Sequence, residues 1–343
     1  MEPNVDDKIL QVTDLRMHFF VGQKVVRAVD GVSFDLKRGK TLAIVGESGA
    51  GKTATGMTIL RLHDKNLARI LSGRIMFDGK DLAHLSERAL RDIRGNRIAM
   101  IYQDPLSALN PSLRVGDQIA EAITEHQSVS KREALRRVAR LLDEVGIHTP
   151  EVTMRAYPHE LSGGMRQRAI IATAVACQPS ILIADEPTTA LDTTIQAQIL
   201  ELLKQLQREH SLSIVLITHD LGVVASTAHD VLVMYAGKPV EATGVREAFY
   251  NPLHPYTQGL LRSVFTTTLV PKEPLKGIAG VPPRLDQEIT GCSFAPRCAR
   301  RGEVCARERP ELRELQTGHR VSCHFAGRAT EEGIASAAGV RIV

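Results

Sequence analysis

The run Thr41-Leu42-Ala43-Ile44-Val45 leads directly into Gly46-Glu47-Ser48-Gly49-Ala50-Gly51-Lys52-Thr53. A short apolar run without polar alternation reads as a strand buried on both faces, the kind found in parallel sheets. The glycines that follow let backbone N–H groups curl around an anion with no Cβ in the way. After Lys52 the apolar positions Met57, Ile59 and Leu60 fall at helical spacing, and a helix starting there aims its positive end at the same anion. Strand, glycine loop and helix in this order form the context of a phosphate-binding loop. Lys52 is placed to reach β- and γ-phosphates, and the Thr53 hydroxyl to ligate Mg²⁺. A chain built around this unit is expected to form an α/β fold on a mostly parallel sheet.

The rest of the sequence agrees with that expectation. Residues 8–45 alternate short apolar runs with Gly-bounded turns and read as an N-terminal antiparallel β subdomain. From about 104 to 165 the sequence becomes helical and charged. Ser130-x-x-Glu133 forms a capping box, Leu135, Val138, Leu142 and Val145 share one helical face, and Gly146 supplies the stop. Beyond it, helix and strand alternate: Arg166–Cys177, Ile181–Ala184, Gln196–Glu209, Ser213–Thr218 and Val231–Tyr235. After about residue 245 Pro and Gly become frequent and periodicity fades. The expected division is therefore 1–245 for the α/β core and 246–343 for an irregular C-terminal extension.

Composition excludes several classes. With 343 residues, 43% apolar content and 24% charge, the chain can bury an ordinary globular core. No apolar run approaches the roughly 18–20 residues that span a bilayer. The first residues, MEPNVDDKIL, are acidic and lack a basic and then apolar leader, so no secretory signal is expected and a cytosolic location is. The net charge of +4 sits in residues 291–328, which hold eight Arg against four Glu. A nucleic-acid surface would interleave aromatics with those cations. Only Phe294 and Phe325 occur there, so nucleic acid is not an expected partner.

Three further motifs follow the phosphate loop in order. Leu161-Ser162-Gly163-Gly164-Met165 combines a hydroxyl with two bare backbone N–H groups ahead of a helix expected from Arg166, which makes a second anion site. Ile181-Leu182-Ile183-Ala184 ends in Asp185-Glu186, and adjacent carboxylates at a strand end point to opposite sides, so they are suited to different jobs. His219 follows the apolar run Ser213–Thr218. Taken together these resemble the ATP-binding cassette (ABC) ATPases, with a P-loop NTPase core of RecA type and a helical signature subdomain. The resemblance covers residues 8–245.

That resemblance implies roles residue by residue. Asp185 holds Mg²⁺, Glu186 is the general base, and His219 contacts the γ-phosphate. Gln103 is the Q-loop amide that senses Mg²⁺ and the attacking water, Ala190-Leu191-Asp192 is the D-loop, and Phe19 stacks on adenine with Phe20 as the competing choice. Ser162, Gly163 and Gly164 act on the ATP bound by a second subunit, so the chain would work as a pair. Within the family, the Met165 ending and the later runs Asn251-Pro252-Leu253-His254-Pro255-Tyr256-Thr257 and Gly280-Val281-Pro282-Pro283 resemble the oligopeptide/dipeptide importers, with nickel importers as relatives. The expected partners are a sister ATPase subunit, two membrane permease subunits and, indirectly, an extracytoplasmic peptide-binding protein, with this chain on the cytoplasmic face of the membrane. A soluble ABC ATPase of DNA repair or translation would need inserted coiled coils, zinc modules or a second cassette, and none is visible.

Four of the five cysteines fall in the extension, as Cys292-x5-Cys298-x6-Cys305-x17-Cys323. Clustered cysteines in a cytosolic chain suggest a metal rather than disulfides. The close C-x2–4-C knuckles usual for structural zinc are missing, and longer loops suit an iron–sulfur cubane. Zinc and free thiols remain open on spacing alone. The family resemblance adds a 4Fe–4S cluster at these four positions. Cys177 stands apart in an apolar helix and reads as a core residue.

Overall fold

The computed structural model describes residues 7–104, 108–189, 191–263 and 277–327. The chain divides into two compact units. One comprises the described residues up to Ile9, Leu36–Thr41 and His84–Ile217; the other comprises Leu10–Asp35, Leu42–Ala83 and the described residues from Thr218 onward.

In the first unit three strands run parallel. Ile98–Ile101 pairs with Ile181–Asp185 (Ile98 opposite Ile181), and Ile181–Asp185 pairs with Ser213–Ile217 (Asp185 opposite Ile217). Every residue of the latter two strands is buried, which accounts for their unbroken apolar runs. The helices Val115–His126, Lys131–Glu144 and Pro150–Arg155 occupy the stretch expected to be helical. Ser130 caps the second of these, its Oγ accepting from Glu133 N–H at 3.2 Å. The Glu133 carboxylate turns outward to Arg136 and Arg137. Ala134, not Leu135, joins Val138 and Leu142 on the buried face. Helix Thr193–His210 is capped by Asp192, whose Oδ1 accepts from Ile195 N–H at 2.9 Å. Cys177 is 8% exposed and its Sγ donates to Ala122 O, as a core thiol would.

In the second unit an antiparallel sheet has the order 24–37, 8–21, 68–77, 80–81. A second sheet places Thr41–Val45 parallel to Asp230–Tyr235 (Leu42 opposite Asp230), and Asp230–Tyr235 antiparallel to Lys238–Gly244. The extension adds to this sheet: His319–Val321 pairs with Lys238–Gly244 (Val321 opposite Glu241), and Arg313–Gln316 pairs with His319–Val321. These two short strands are regular structure within the stretch expected to be irregular. Tyr235, Tyr256 and Phe294 pack into one aromatic core, with ring centroids 4.7 Å apart for Tyr235–Tyr256 and 5.2 Å for Tyr235–Phe294. Among the described residues, no helix is long and apolar enough to cross a membrane.

Candidate nucleotide site

The phosphate loop lies in the second unit, between strand Thr41–Val45 and helix Lys52–Ile59. Two of its glycines are required sterically. Gly46 has φ 151° and a Cβ there would lie 2.2 Å from Met234 O; Gly51 has φ 97° and a Cβ there would lie 2.2 Å from Ala28 O. The Lys52 ammonium folds back over the loop, donating to Gly46 O at 2.8 Å and Glu47 O at 3.0 Å. That posture keeps a cation at the mouth of a loop whose amides already favour an anion. Helix Lys52–Ile59 begins directly at Gly51, so the backbone N–H groups of its first turn have no intrahelical acceptors.

Of the two candidate adenine platforms, Phe19 meets His63 nearly perpendicular at 5.1 Å, while Phe20 carries the Arg69 guanidinium over its ring at 5.1 Å. His219 is exposed. Its turn is held by Thr218 Oγ1, which accepts from Asp220 N–H, and by Asp220, which caps the next helix through Gly222 and Val223 N–H.

The first unit carries the other motifs. Asp185 closes its strand at 1% exposure, whereas Glu186 leaves the strand with φ 46°. A left-handed conformation is uncommon for a non-glycine residue and costs free energy unless the surroundings hold it. Here Glu186 N–H donates to Ile217 O at 2.8 Å. Glu186 Oε2 accepts from Gln103 Nε2 at 3.1 Å and from Thr189 Oγ1 at 2.8 Å. The sequence-predicted residues Gln103 and Glu186, 83 positions apart, are thus brought into direct contact. Thr189 and Gln167 were not anticipated. Gln167 is 1% exposed and donates to Pro187 O at 2.7 Å, tying the signature helix to the turn that follows Glu186. A buried Gln in an apolar helix was the available clue.

The signature helix begins earlier than expected, at Gly163 rather than Arg166, and runs to Val175. Ser162 is its cap, with Oγ accepting from Met165 N–H at 3.3 Å. Gly163 and Gly164 therefore occupy the first turn, and a hydroxyl that accepts from the helix still has its own proton to donate. Leu191 and Asp192 of the expected D-loop are described, while Ala190 lies outside the described residues.

The four extension cysteines line one small pocket in the second unit, together with Phe294 and Phe325. None of the four is in a disulfide. Burial pushes the Cys292 thiol up to about 11, and also raises that of Cys298. Backbone amides oppose that trend: Phe294 and Ala295 donate to Cys292, and Arg300 donates to Cys298.

The glycine loop on a buried strand and the carboxylate pair closing a parallel strand are the parts of a phosphate-loop ATPase. Comparison with known proteins narrows the class. Residues 29–189 match the ABC transporter family, and residues 240–305 match the oligopeptide/dipeptide transporter C-terminal region. The dipeptide transport ATP-binding protein DppD of Bacillus subtilis is 50% identical over 330 residues, covering 96% of this chain and 98% of that protein. Its Escherichia coli namesake is 45% identical, covering 94% and 99%. Among solved structures, the dimeric ATP-binding cassette MJ0796 bound to ADP and Pi aligns with a TM-score of 0.62 and 26% identity, covering 69% of this chain and 99% of that one. The chain belongs to the ATP-binding cassette transporter family, whose members couple ATP hydrolysis to transport.

Proposed function

We propose that this chain is the ATP-hydrolysing subunit of a membrane importer for di- and oligopeptides, bound at the cytoplasmic face through two permease subunits. One observation carries the reading: identity to peptide transport ATP-binding proteins extends over 92–96% of the chain, through the extension as well as the ATPase core. In this reading the loop Gly46–Thr53 binds the phosphates of ATP, with Lys52 against the β- and γ-phosphates and His219 against the γ-phosphate. Phe19 is the adenine platform, because Arg69 already covers the ring of Phe20. Thr53, Gln103 and Asp185 would hold Mg²⁺, which neutralises phosphate charge. Glu186 takes the proton of the attacking water, oriented by Gln103 and Thr189. Ser162, Gly163 and Gly164 reach the ATP of a partner ATPase subunit, a different chain of the same family, and an extracytoplasmic binding protein delivers the peptide. Co-expression with candidate permease subunits tests this. A stable complex whose ATPase is stimulated by peptide-loaded binding protein is expected, and stimulation by a nickel chelate instead of peptide would overturn the substrate.

We propose that the four-cysteine pocket holds a 4Fe–4S cluster as a resident group. Its walls are apolar and amides are aimed at two of the sulfurs, the environment in which thiolates bind such clusters. Tetrahedral zinc at about 2.3 Å needs sulfurs within roughly 4 Å of one another. Among the described residues the group with three ligand atoms all within 4.8 Å is Glu144, Glu209 and His210, not the thiols. Cys292, Cys298, Cys305 and Cys323 would hold the cluster, which supplies a cross-link between loops. Anaerobic purification should give a brown protein with about four iron and four sulfide per chain. A colourless protein with stoichiometric zinc would refute this.

A further inference from the structure

Arg297 is one of the most completely satisfied side chains in the second unit, and it spends its bonds on the phosphate loop. At 4% side-chain exposure its guanidinium grips the Glu47 carboxylate with both arms, Nη1 to Oε2 at 2.6 Å and Nη2 to Oε1 at 3.0 Å. Its other donors go to Ala279 O at 2.9 Å, Ile278 O at 3.0 Å and Tyr235 Oη at 3.3 Å. Five N–H groups thus meet five acceptors, a fork geometry that lysine cannot reproduce. Tyr256 is fully buried and holds the same residue from another side, its Oη accepting from Glu47 N–H at 2.8 Å. The Glu47 carbonyl in turn accepts from Lys52. Side chain, amide and carbonyl of Glu47 are therefore all engaged, two of them by residues 209 and 250 positions away in the extension.

Two physical consequences follow. A loop with three glycines in six residues loses much backbone freedom on ordering, so fixing its second residue lowers what nucleotide binding must still order. Glu47 also brings a negative charge to a site built for phosphate, and Arg297 neutralises it. We propose that Arg297 and Tyr256 are positioning residues for ATP: the extension clamps the phosphate loop at Glu47, presetting its amides and cancelling the carboxylate that the loop itself carries. This rests on the reading of Gly46–Thr53 as the ATP site.

Equilibrium binding of a fluorescent ATP analogue with Mg²⁺ to the full-length chain, together with KM and kcat of the assembled transporter, tests the proposal. Arg297→Ala should weaken binding by about 10-fold or more, and raise KM more than it lowers kcat. Because part of that loss comes from a bare carboxylate, adding Glu47→Gln to Arg297→Ala should recover much of the affinity, and the Arg297→Ala defect should shrink as salt rises. A role confined to folding would give neither result. Tyr256→Phe, which removes only the hydroxyl, should weaken binding several-fold at unchanged melting temperature. If Arg297→Ala does not fold, Arg297→Gln and Tyr256→Phe carry the test. Wild-type affinity in both would overturn the clamp, as would a double variant no better than Arg297→Ala. Lys52→Ala separates the two levels. Lost binding there with normal binding in the clamp variants sinks only the clamp, and retained binding sinks the ATP-site reading itself.

Discussion

Glu186→Gln is expected to leave ATP binding at its wild-type level and lower turnover by about 100-fold or more, the range set by loss of a general base. The substitution is close to isosteric. Its amide oxygen can still accept from Gln103 and Thr189, and the left-handed turn at φ 46°, held by the Glu186 N–H to Ile217 O bond, is untouched. What disappears is the ability to take a proton from water. Binding without hydrolysis should therefore accumulate the proposed ATP-bound two-subunit state, visible in the presence of the partner subunit as an ATP-dependent shift in size-exclusion chromatography. Single-turnover hydrolysis near the wild-type rate would remove Glu186 as the base. Asp185→Asn should differ in kind. That carboxylate is 1% exposed at the end of its strand, and in its proposed role as an Mg²⁺ ligand its loss should weaken Mg²⁺-dependent nucleotide binding rather than spare it.

The parts of this site that could be read from the sequence are those whose local chemistry dictates local structure. Thr41–Val45 and Ile181–Asp185 are buried on both faces, so they had to be continuous apolar runs, and the glycines after Val45 had to tolerate backbone that any Cβ would obstruct. The start of the signature helix was misplaced because Gly163 and Gly164 have poor helix propensity. The Ser162 cap and the needs of the first turn override that preference. The two 14-residue strands Lys8–Val21 and Lys24–Lys37 looked like shorter pieces, since the first changes register around Thr13 and Arg16 and bends at Asp14 with φ 44°. Strands Arg313–Gln316 and His319–Val321 are short, charged and near a sheet edge, where no apolar alternation is needed. The Glu47–Arg297 pair had no signature at all: it joins one acid and one base among 39 and 43, separated by 250 positions.

Glu241→Ala is expected to cost about 3–5 kcal/mol of stability, because it removes the acceptor that ties strand Lys238–Gly244 to the extension. Glu241 is fully buried, and its carboxylate accepts from Leu253 N–H at 2.7 Å, His254 N–H at 3.0 Å and His319 Nε2 at 2.6 Å. Burial alone would raise its pKa, but these bonds, His319 first, hold it below the usual value. Alanine would strand the buried His254 amide, the half-buried Leu253 amide and a histidine that is 1% exposed. Glutamine should recover only part of the loss, because its NH₂ must face one of the donors. The neighbouring His254 gives the site a pH dependence. Its Nδ1 accepts from Tyr256 N–H at 3.0 Å, and complete burial lowers its pKa to about 4, so the fold requires the neutral ring. The unfolded chain takes up that proton near pH 6.5. The stabilisation is therefore complete above about 6.5 and falls away as pH drops toward 4, by about 3 kcal/mol in all. Glu241, with its lowered pKa, adds further loss only below its ordinary range near 4.5. Denaturant unfolding between pH 7 and 4 measures the first, and its extension toward pH 3 the second. His254→Asn keeps a capping acceptor for Tyr256 N–H without a titrating ring, so its stability should fall less steeply than the wild type's from pH 6.5 to about 5, the remaining decline coming from His18 and His63, whose pKa values burial also lowers. A His254→Asn variant that loses stability as steeply as the parent would place the acid sensitivity elsewhere, and a Glu241→Ala penalty under about 1 kcal/mol would mean that the three donors find other acceptors.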